Sequence, residues 1–342
     1  MAETFRAIIA DKQDGKTVAS IREIGLGDLP DEDVLVDVAY STINYKDGLA
    51  VSGAAPICQV TPLTCGIDLA GTVVESRDPA FKPGDRVLVN GYGLSERHHG
   101  GYSQKQRLRG EWLVRVPEGM SLEETMAIGT AGYTSMLCVL ALQDAGVTPD
   151  QGPVLVTGAA GGVGSIAVSL LAGLGYEVHA STGRIDEAGP FLRDLGARQL
   201  VPRDELSRDC KPLERETWAG VVDTVGDKTL ATAIAQTRYE GTVAACGLAG
   251  GMKLPTTVMP FILRGVTLWG GFGHGLPAAA PARLGRPGRA PGPGTTEVYL
   301  RGSAPGCGAR AGQRHHRRHR SRPHRGGRQR LSRRPGCAPG ER

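Results

Sequence analysis

The sequence predicts an α/β protein with two domains, a β-barrel-like domain followed by a doubly wound parallel sheet. Two observations predict these domains: many short strands separated by Gly and Pro turns before Ser121, and an alternation of strands and helices after it. A third observation sets the rest apart, because Gly, Pro, Ala and Arg dominate from Phe272 onward without apolar periodicity. We therefore predict domains at 1–125 and 126–271, and a tail at 272–342.

The first domain contains apolar and alternating runs that predict strands. These are Phe5–Ala10, Val34–Tyr40, a Gly-flanked strand within 65–74, a strand that ends at Val89, and a strand that begins at Gly100–Tyr102. Their number and the turns between them predict a barrel-like arrangement.

Two polar features of this domain are candidates for a site. The run from Asn44 to Asp47 follows a strand, and Asn44 is equally well placed to cap a helix. Asp68 lies inside an apolar run, so that it either is paired structurally or lines a site.

The second domain begins with a helix. Ser121 and Glu124 form an S-x-x-E capping box, a glycine-containing interruption follows at 129–133, and a further helix is predicted over 135–144. Later strands are predicted at 200–201, 220–226 and 241–247, with helices at 188–195 and 228–236. This alternation is typical of a doubly wound sheet.

A glycine-rich turn lies between the first strand and helix of that sheet. The strand is predicted at 154–157, the turn at 158–164, the helix at 165–174 and the next strand at 177–180. Such a turn lets the backbone approach a pyrophosphate, and a helix N-terminus offers it free N–H groups. Ala159 replaces the first glycine of G-x-G-x-x-G, so a tight turn of another α/β fold is the alternative.

The residues after the second strand indicate which dinucleotide binds. An NAD site usually has an acid there, whereas this chain has Ser181, Thr182, Gly183 and Arg184. Because hydroxyls and a guanidinium suit a phosphate, we predict NADPH. The alternative is that Arg184 is only a solvated surface charge.

Composition indicates the class of protein and its compartment. We find no basic-then-apolar leader at Met1 and no apolar run of membrane-spanning length, so we expect a cytoplasmic protein without a membrane partner. The seven cysteines form no C-x-x-C pair, which argues against a structural zinc site and a disulfide framework.

The tail carries most of the positive charge. Residues 272–342 hold sixteen Arg, no Lys and two acidic residues, whereas residues 1–271 have a net charge of −9. A literal interpretation is a disordered, nucleic-acid-binding segment. We prefer the interpretation that the tail is translated out of frame from a GC-rich gene, because Gly, Pro, Ala and Arg have GC-rich codons. In addition, one possible coding of residues 271–275, when read one base later, encodes Asp-Ser-Val-Met. The tail would then be non-native.

Several motifs together resemble the zinc-independent quinone-oxidoreductase branch of the medium-chain dehydrogenase/reductases. The resemblance covers about residues 5–270 and lies in the segments 44–47, 66–71, 129–134, 157–164, 222–228, 244–250 and 254–264. It implies a GroES-like catalytic domain, a Rossmann domain and an active site between them. Zinc-containing members have Gly-His-Glu where this chain has Gly66, Ile67 and Asp68, so no metal is implied.

The resemblance also implies roles for individual residues. Tyr45 would contact the nicotinamide half of NADPH, and Leu248 would lie alongside the cofactor. Asn44 and Asp68 would be the polar active-site residues, together with Tyr45. The remaining implied cofactor contacts are Ala160, Gly161, Gly162 and Val163 at the pyrophosphate, and Thr182, Gly183, Arg184 and Arg203 at the 2′-phosphate.

The implied activity is an NADPH-dependent reduction of an α,β-unsaturated acyl-CoA, acryloyl-CoA to propanoyl-CoA. We hypothesise that Asn44 and Tyr45 hold the thioester or relay a proton, with Asp68 supporting them. The first alternative is a quinone or enone oxidoreductase. The second, from another class, is an inactive reductase body with a basic nucleic-acid-binding tail. Relatives are commonly homodimers, but the unusual tail argues against a homodimer here. The departure from the family after residue 271 also predicts that the activity is impaired.

Overall fold

A computed structural model of the chain describes residues 3–270. The predicted tail at 272–342 therefore lies outside the described residues. Within the described range the elements fall into two groups, divided by a long helix that begins at Leu122.

The first group is almost entirely antiparallel β-structure. Its elements are β1 (Thr4–Gln13), β2 (Lys16–Gly25), β3 (Val34–Tyr40), α1 (Tyr45–Ser52), β4 (Leu63–Thr64), β5 (Asp68–Ser76), β6 (Arg86–Asn90), β7 (Lys105–Leu108) and β8 (Val114–Arg115). They form a sheet β2-β1-β4 and a sheet β7-β3-β5-β6-β8, joined by a bridge from Ala7 to Ser103. Val34, Val36, Leu69, Val87 and Leu108 make up much of the core of the larger sheet.

One strand of this group begins later than predicted. We expected a strand to start at Gly100–Tyr102, but β7 begins at Lys105. Gly100 and Gly101 instead lie directly against the backbone of residues 65–68, where an added Cβ would collide with the carbonyl oxygens of Gly66 and Asp68. The two glycines thus allow a close backbone approach, and the chain can pair as a strand only after them.

The second group is a parallel sheet with helices. Its elements are α2 (Leu122–Asp144), β9 (Val154–Val156), α3 (Gly162–Gly173), β10 (Val178–Thr182), α4 (Ile185–Asp194), β11 (Gln199–Pro202), α5 (Arg203–Leu206), β12 (Trp218–Asp223), α6 (Asp227–Gln236), β13 (Thr237–Ala245), α7 (Met259–Arg264) and β14 (Thr267–Trp269). The strand order is β11-β10-β9-β12-β13-β14, and every pairing is parallel. The predicted doubly wound sheet is confirmed.

The strand order places a crevice at the middle of this sheet. The chain runs outward from β9 to β11 and then returns to place β12 on the other side of β9. Ligands of open α/β sheets bind at such a reversal, beyond the carboxyl ends of the strands. The predicted glycine-rich turn follows β9 at this point.

The helix α2 connects the two groups. Ser121 caps it with the predicted capping box, since Ser121 Oγ accepts a hydrogen bond from the Glu124 N–H at 3.1 Å. The predicted interruption is a break at one residue, Gly129, with φ 50° and ψ −160°. By length and composition α2 could cross a membrane, contrary to our expectation, but 67% of its apolar window is buried inside the protein, as in a core helix.

Candidate active site and cofactor site

Asp68 is the centre of a hydrogen-bonded network at the start of β5. Its side chain is fully buried. Oδ1 accepts hydrogen bonds from Thr42 Oγ1 at 2.6 Å and Thr42 N at 3.2 Å, and Oδ2 accepts from Thr130 N at 3.1 Å. Asn44 Nδ2 at 3.3 Å and Asn90 Nδ2 at 3.5 Å also lie near Oδ2. Asp68 therefore joins the loop after β3, the end of β6 and the break in α2.

Asn44 lies at the N-terminus of α1, as the capping alternative predicted. Its backbone N–H donates to Asp47 Oδ2 at 2.9 Å, and its side-chain Nδ2 lies 2.7 Å from Thr42 Oγ1 and 3.0 Å from Asp47 Oδ2. Both amide hydrogens thus point into the protein. This geometry makes Asn44 a residue that fixes the loop, and it leaves no amide hydrogen for a substrate carbonyl.

Asp47 is a second buried carboxylate beside this network. It is 1% exposed and also accepts a hydrogen bond from the Ile67 N–H at 3.0 Å. Burial raises its pKa to about 6, with the nearby Asp68 carboxylate adding to the effect. Burial also raises the pKa of Tyr102, whose hydroxyl donates to the Thr42 carbonyl at 2.7 Å. Hydrogen bonds to buried polar groups therefore fix the loop from Thr42 to Asp47.

Tyr45 differs from its neighbours because it is 64% exposed. It is the first residue of α1, directly after Asn44. Its ring is therefore presented on the surface of the site, while Asn44 and Asp47 anchor the helix start beneath it.

The glycine-rich turn closes tightly over the end of β9. Gly158 has φ 58°, and an added Cβ at Gly164 would lie 2.5 Å from the Gly158 carbonyl oxygen. The helix α3 begins at Gly162, earlier than predicted, with Gly161 as its cap and no side chain bonded to its first N–H groups. Gly161 and Gly162 are exposed. The Gly161 N–H donates to the Gly158 carbonyl at 2.9 Å. The backbone N–H groups of the first turn of α3, from Gly162 onward, therefore suit a pyrophosphate.

Asp223 at the end of β12 bonds Thr157, the residue directly before this turn. Its buried carboxylate accepts hydrogen bonds from Thr157 Oγ1 at 2.6 Å and from the Gly226 N–H at 2.8 Å. Burial raises its pKa. Thr224 Oγ1 donates to the Thr157 carbonyl at 2.9 Å. These contacts join β9 to β12 across the predicted crevice.

The end of β10 forms a corner with two arginines. Gly183 lies against the side chain of Arg203, since an added Cβ would stand 2.5 Å from Arg203 Cζ. Arg184 is exposed, and its N–H donates to Thr182 Oγ1 at 3.2 Å. The chain thus brings together all four residues expected at the 2′-phosphate, and this donor set fits NADPH. No acid occupies this corner of the described chain at 181–184.

Leu248 lies on the loop after β13, at the same edge of the sheet. It is 50% exposed. Gly226 touches this loop, since an added Cβ there would lie 3.3 Å from Leu248 Cα. The structure therefore places Leu248 at the crevice, beyond the carboxyl end of β13.

Sequence reasoning missed four residues of these networks. Thr42, Asp47, Asn90 and Thr130 bond the predicted residues Asn44 or Asp68. Asp47 and Thr130 lie inside motifs that carried the resemblance, which is a usable signal. Thr42 and Asn90 are recognisable only when the strand ends meet. Among the described residues no group of three or more His, Cys, Asp or Glu could hold a metal ion.

Comparisons with known proteins agree with this architecture. Residues 30–134 match the alcohol dehydrogenase GroES-like domain, and residues 162–282 match the zinc-binding dehydrogenase model. The chain is 53% identical over 266 residues to a probable acrylyl-CoA reductase AcuI of Escherichia coli, covering 78% of this chain and 82% of the relative. It is also 53% identical over 269 residues to the acrylyl-CoA reductase AcuI of Ruegeria pomeroyi, covering 78% and 81%.

A solved structure resembles the fold throughout both groups of elements. The yhdH oxidoreductase of Salmonella enterica in complex with NADP is 49% identical, with a TM-score of 0.77 over 87% of each chain. The likeness covers both the antiparallel sheets and the parallel sheet.

Proposed function

This chain belongs to the medium-chain dehydrogenase/reductase family, and we propose that it reduces acryloyl-CoA to propanoyl-CoA with NADPH. One observation carries the choice of substrate: the 53% identity to two acrylyl-CoA reductases, over more than four-fifths of each relative. The arginine corner at Gly183 supports the choice of cofactor independently of the relatives.

Bound NADPH would supply a hydride to the β-carbon of the acyl group. The chain's own residues would bind and orient it. The backbone at 160–163 would hold the pyrophosphate through N–H groups other than that of Gly161, which donates to the Gly158 carbonyl. Thr182, Gly183, Arg184 and Arg203 would hold the 2′-phosphate. Tyr45 would contact the nicotinamide half and Leu248 would lie alongside the cofactor, which agrees with the exposure of both side chains.

Asn44 and Asp68 would act on the reaction by position. Asp68 fixes the loop at Thr42, and Asn44 fixes the start of α1, which carries Tyr45. This network would hold the tyrosine and the break in α2 at a constant separation, since its bonds are buried and mutually supporting. We further propose that the enzyme acts in the cytoplasm, as expected from the sequence.

The test is NADPH oxidation by the purified full-length protein. We expect turnover with acryloyl-CoA, little turnover with a benzoquinone, and none without an acceptor. NADH in place of NADPH is the matched control, and it should give a much lower kcat/KM because it lacks the phosphate that the arginines bind. Turnover with the quinone but not with acryloyl-CoA would overturn the proposal in favour of a quinone oxidoreductase.

A further inference from the structure

We propose that the ammonium group of Lys46 donates a hydrogen bond to the thioester carbonyl oxygen of the substrate. Lys46 is the second residue of α1, directly after Tyr45. Its side chain is 38% exposed, so a ligand can reach it. An ammonium group has three hydrogens, and within the described residues one of them is used, in the bond from Lys46 Nζ to Glu96 Oε1 at 2.5 Å. Lys46 therefore keeps donors that are open to the solvent.

The bond to Glu96 fixes where this ammonium group lies. Glu96 belongs to the loop between β6 and β7, 50 residues from Lys46 along the chain. The loop begins after Asn90, whose Nδ2 lies 3.5 Å from Asp68 Oδ2, and α1 begins after Asn44, whose Nδ2 lies 3.3 Å from the same oxygen. Asp68 is fully buried, whereas Lys46 and Glu96 are partly exposed. The ion pair thus joins, on the solvent side, the two segments that meet at Asp68.

The charges around this network favour Lys46 as the partner of an oxygen that becomes negative. Lys46 carries the one positive charge among residues 42–47 and the described side chains that bond Asp68. Asp47 and Asp68 are buried carboxylates, which oppose a further negative charge nearby, and a cation offsets this repulsion. Asn90 keeps an amide hydrogen, but an amide is neutral, and hydrogen bonds from an ionised donor are about twice as strong.

This inference rests on the proposed reduction, which needs such a donor. When the β-carbon of the acyl group accepts the hydride, the C=C electron pair moves toward the carbonyl and negative charge develops on the thioester oxygen. The α-carbon then takes a proton from the solvent, which completes the two-electron reduction to the saturated thioester. The Lys46 ammonium group keeps its own protons throughout. A preorganised cation at the developing charge lowers the barrier.

The first test compares variants of the full-length protein in the acryloyl-CoA assay. Lys46→Met keeps most of the side-chain length but removes the charge, and we expect kcat to fall by about 100-fold. Lys46→Arg keeps the charge and should retain more of the rate than Lys46→Met. Lys105→Met is the matched control, because Lys105 Nζ bonds Asp37 Oδ1 at the same 2.5 Å distance but lies on β7, outside the network. Its kcat should stay at the wild-type value.

Two further readouts separate this role from a structural one. In Lys46→Met the KM for acryloyl-CoA and the affinity for NADPH should change little, because the charge that Lys46 stabilises develops only in the transition state. The Tm of both methionine variants should stay close to that of the wild type, because partly exposed ion pairs contribute little to stability. A large loss of NADPH affinity or of Tm in Lys46→Met, but not in Lys105→Met, would indicate a structural role and contradict the proposal.

A binding measurement tests the same contact without turnover. The probe is propanoyl-CoA, isotopically labelled at the carbonyl carbon and bound to the NADP⁺-loaded protein, and the readout is the isotope-edited infrared spectrum. A hydrogen bond from an ammonium group weakens the C=O bond, so the carbonyl band should lie at a lower frequency in the wild-type complex than in the Lys46→Met complex. Lys105→Met should give the wild-type band.

The infrared measurement keeps the two proposals distinguishable. A wild-type protein that shows the Lys46-dependent band but does not reduce acryloyl-CoA would contradict the proposed function and support the contact. A wild-type kcat together with an unchanged band in Lys46→Met would overturn the Lys46 proposal and leave the reductase intact. Failure of the wild type to bind propanoyl-CoA would overturn both.

Discussion

At the scale of single residues, Gly183 leaves room for the guanidinium of Arg203 against the backbone after β10. The guanidinium occupies the space where any other residue would place its Cβ, only 2.5 Å from Arg203 Cζ. Gly183→Ala should therefore displace Arg203 and remove a charge-assisted contact to the 2′-phosphate. We expect the KM for NADPH to rise about tenfold or more, because such a bond contributes about 1.5–3 kcal/mol.

The control for this substitution is Gly173→Ala. Gly173 is also a glycine of the parallel-sheet group, but an added Cβ there would meet nothing within 4 Å. It should leave both cofactors unaffected, and Gly183→Ala should leave the KM for NADH unchanged. Equal losses with NADPH and NADH would instead indicate a general disturbance of the cofactor site.

The raised pKa of Asp47 predicts how the free energy of unfolding depends on pH. Burial raises its pKa from 3.8 to about 6, so the folded state binds the proton more tightly than the unfolded state. The stability that the protonated form provides is then present below about pH 4 and is lost as the pH rises to about 6. A pKa difference of this size corresponds to about 3 kcal/mol.

Urea unfolding at several pH values tests this slope. In Asp47→Asn the free energy of unfolding should no longer fall between about pH 4 and pH 6, because the amide does not titrate. Asp85→Asn is the control of opposite sign, since a hydrogen bond from the Lys82 N–H lowers the Asp85 pKa. A slope unchanged in Asp47→Asn would mean that Asp47 titrates normally in the folded protein.

Single residues were predictable where a local rule governs them. The glycine-rich turn after β9 and the position of Arg184 after β10 follow from spacing along one β-α-β unit, although α3 begins at Gly162, inside the turn predicted at 158–164. The contacts of Asp68 were not predictable in this way, because its partners Thr42, Asn90 and Thr130 come from three separate segments. These residues come close only because distant strands pair, and local sequence patterns do not predict which strands pair.

At the scale of elements, α2 shows how a helix break serves a site. Gly129 adopts φ 50° and lies so close to Thr42 that an added Cβ would stand 2.7 Å from Thr42 Cγ2 and 3.3 Å from Asp68 Oδ2. The break thus lets Thr130 reach Asp68. The sequence predicted an interruption here from its glycines, but not that one residue would carry it.

Gly129→Ala should damage both stability and activity. The left-handed backbone costs about 1 kcal/mol or more for alanine, and the clash with Thr42 adds to this cost. Gly146→Ala is the control, because Gly146 has φ 88° just after α2 but nothing within 4 Å of an added Cβ. We expect some loss of stability from the positive φ there but full activity, measured by thermal unfolding and kcat. Equal effects of both variants on kcat would contradict the proposal that the close contact of Gly129 with Thr42 matters for activity.

At the scale of the whole molecule, the fold was more predictable than the join between its parts. Alternating strands and helices fixed the parallel sheet, and its order places the reversal between β9 and β12 as such sheets require. The packing of α2 against both groups could not be predicted from the sequence. Its apolar residues are spread around the helix, and no sequence periodicity marks the break inside it. The expectation of no apolar run of membrane-spanning length was wrong for α2, which has that length and composition although 67% of its apolar window is buried.

The segment after residue 270 gives the last prediction. The match to the E. coli relative covers 82% of that protein, and exposed apolar side chains lie near the end of the described chain, including Val258, Ile262 and Leu263. A gene restored to the alternative frame from codon 271 should supply native partners for this edge. We expect a higher Tm and a higher yield of soluble protein, since burying one such side chain contributes about 1.5–3 kcal/mol.

The matched control is a chain that ends at residue 270. If the present tail is non-native, the full-length chain and this truncation should unfold at similar temperatures, and the restored chain should unfold at a higher one with increased acryloyl-CoA turnover. A full-length chain that is clearly more stable than the truncation, and equal to the restored chain, would show that residues 271–342 contribute native structure. The out-of-frame interpretation would then be wrong, because random Gly, Pro and Arg sequence cannot provide cooperative packing.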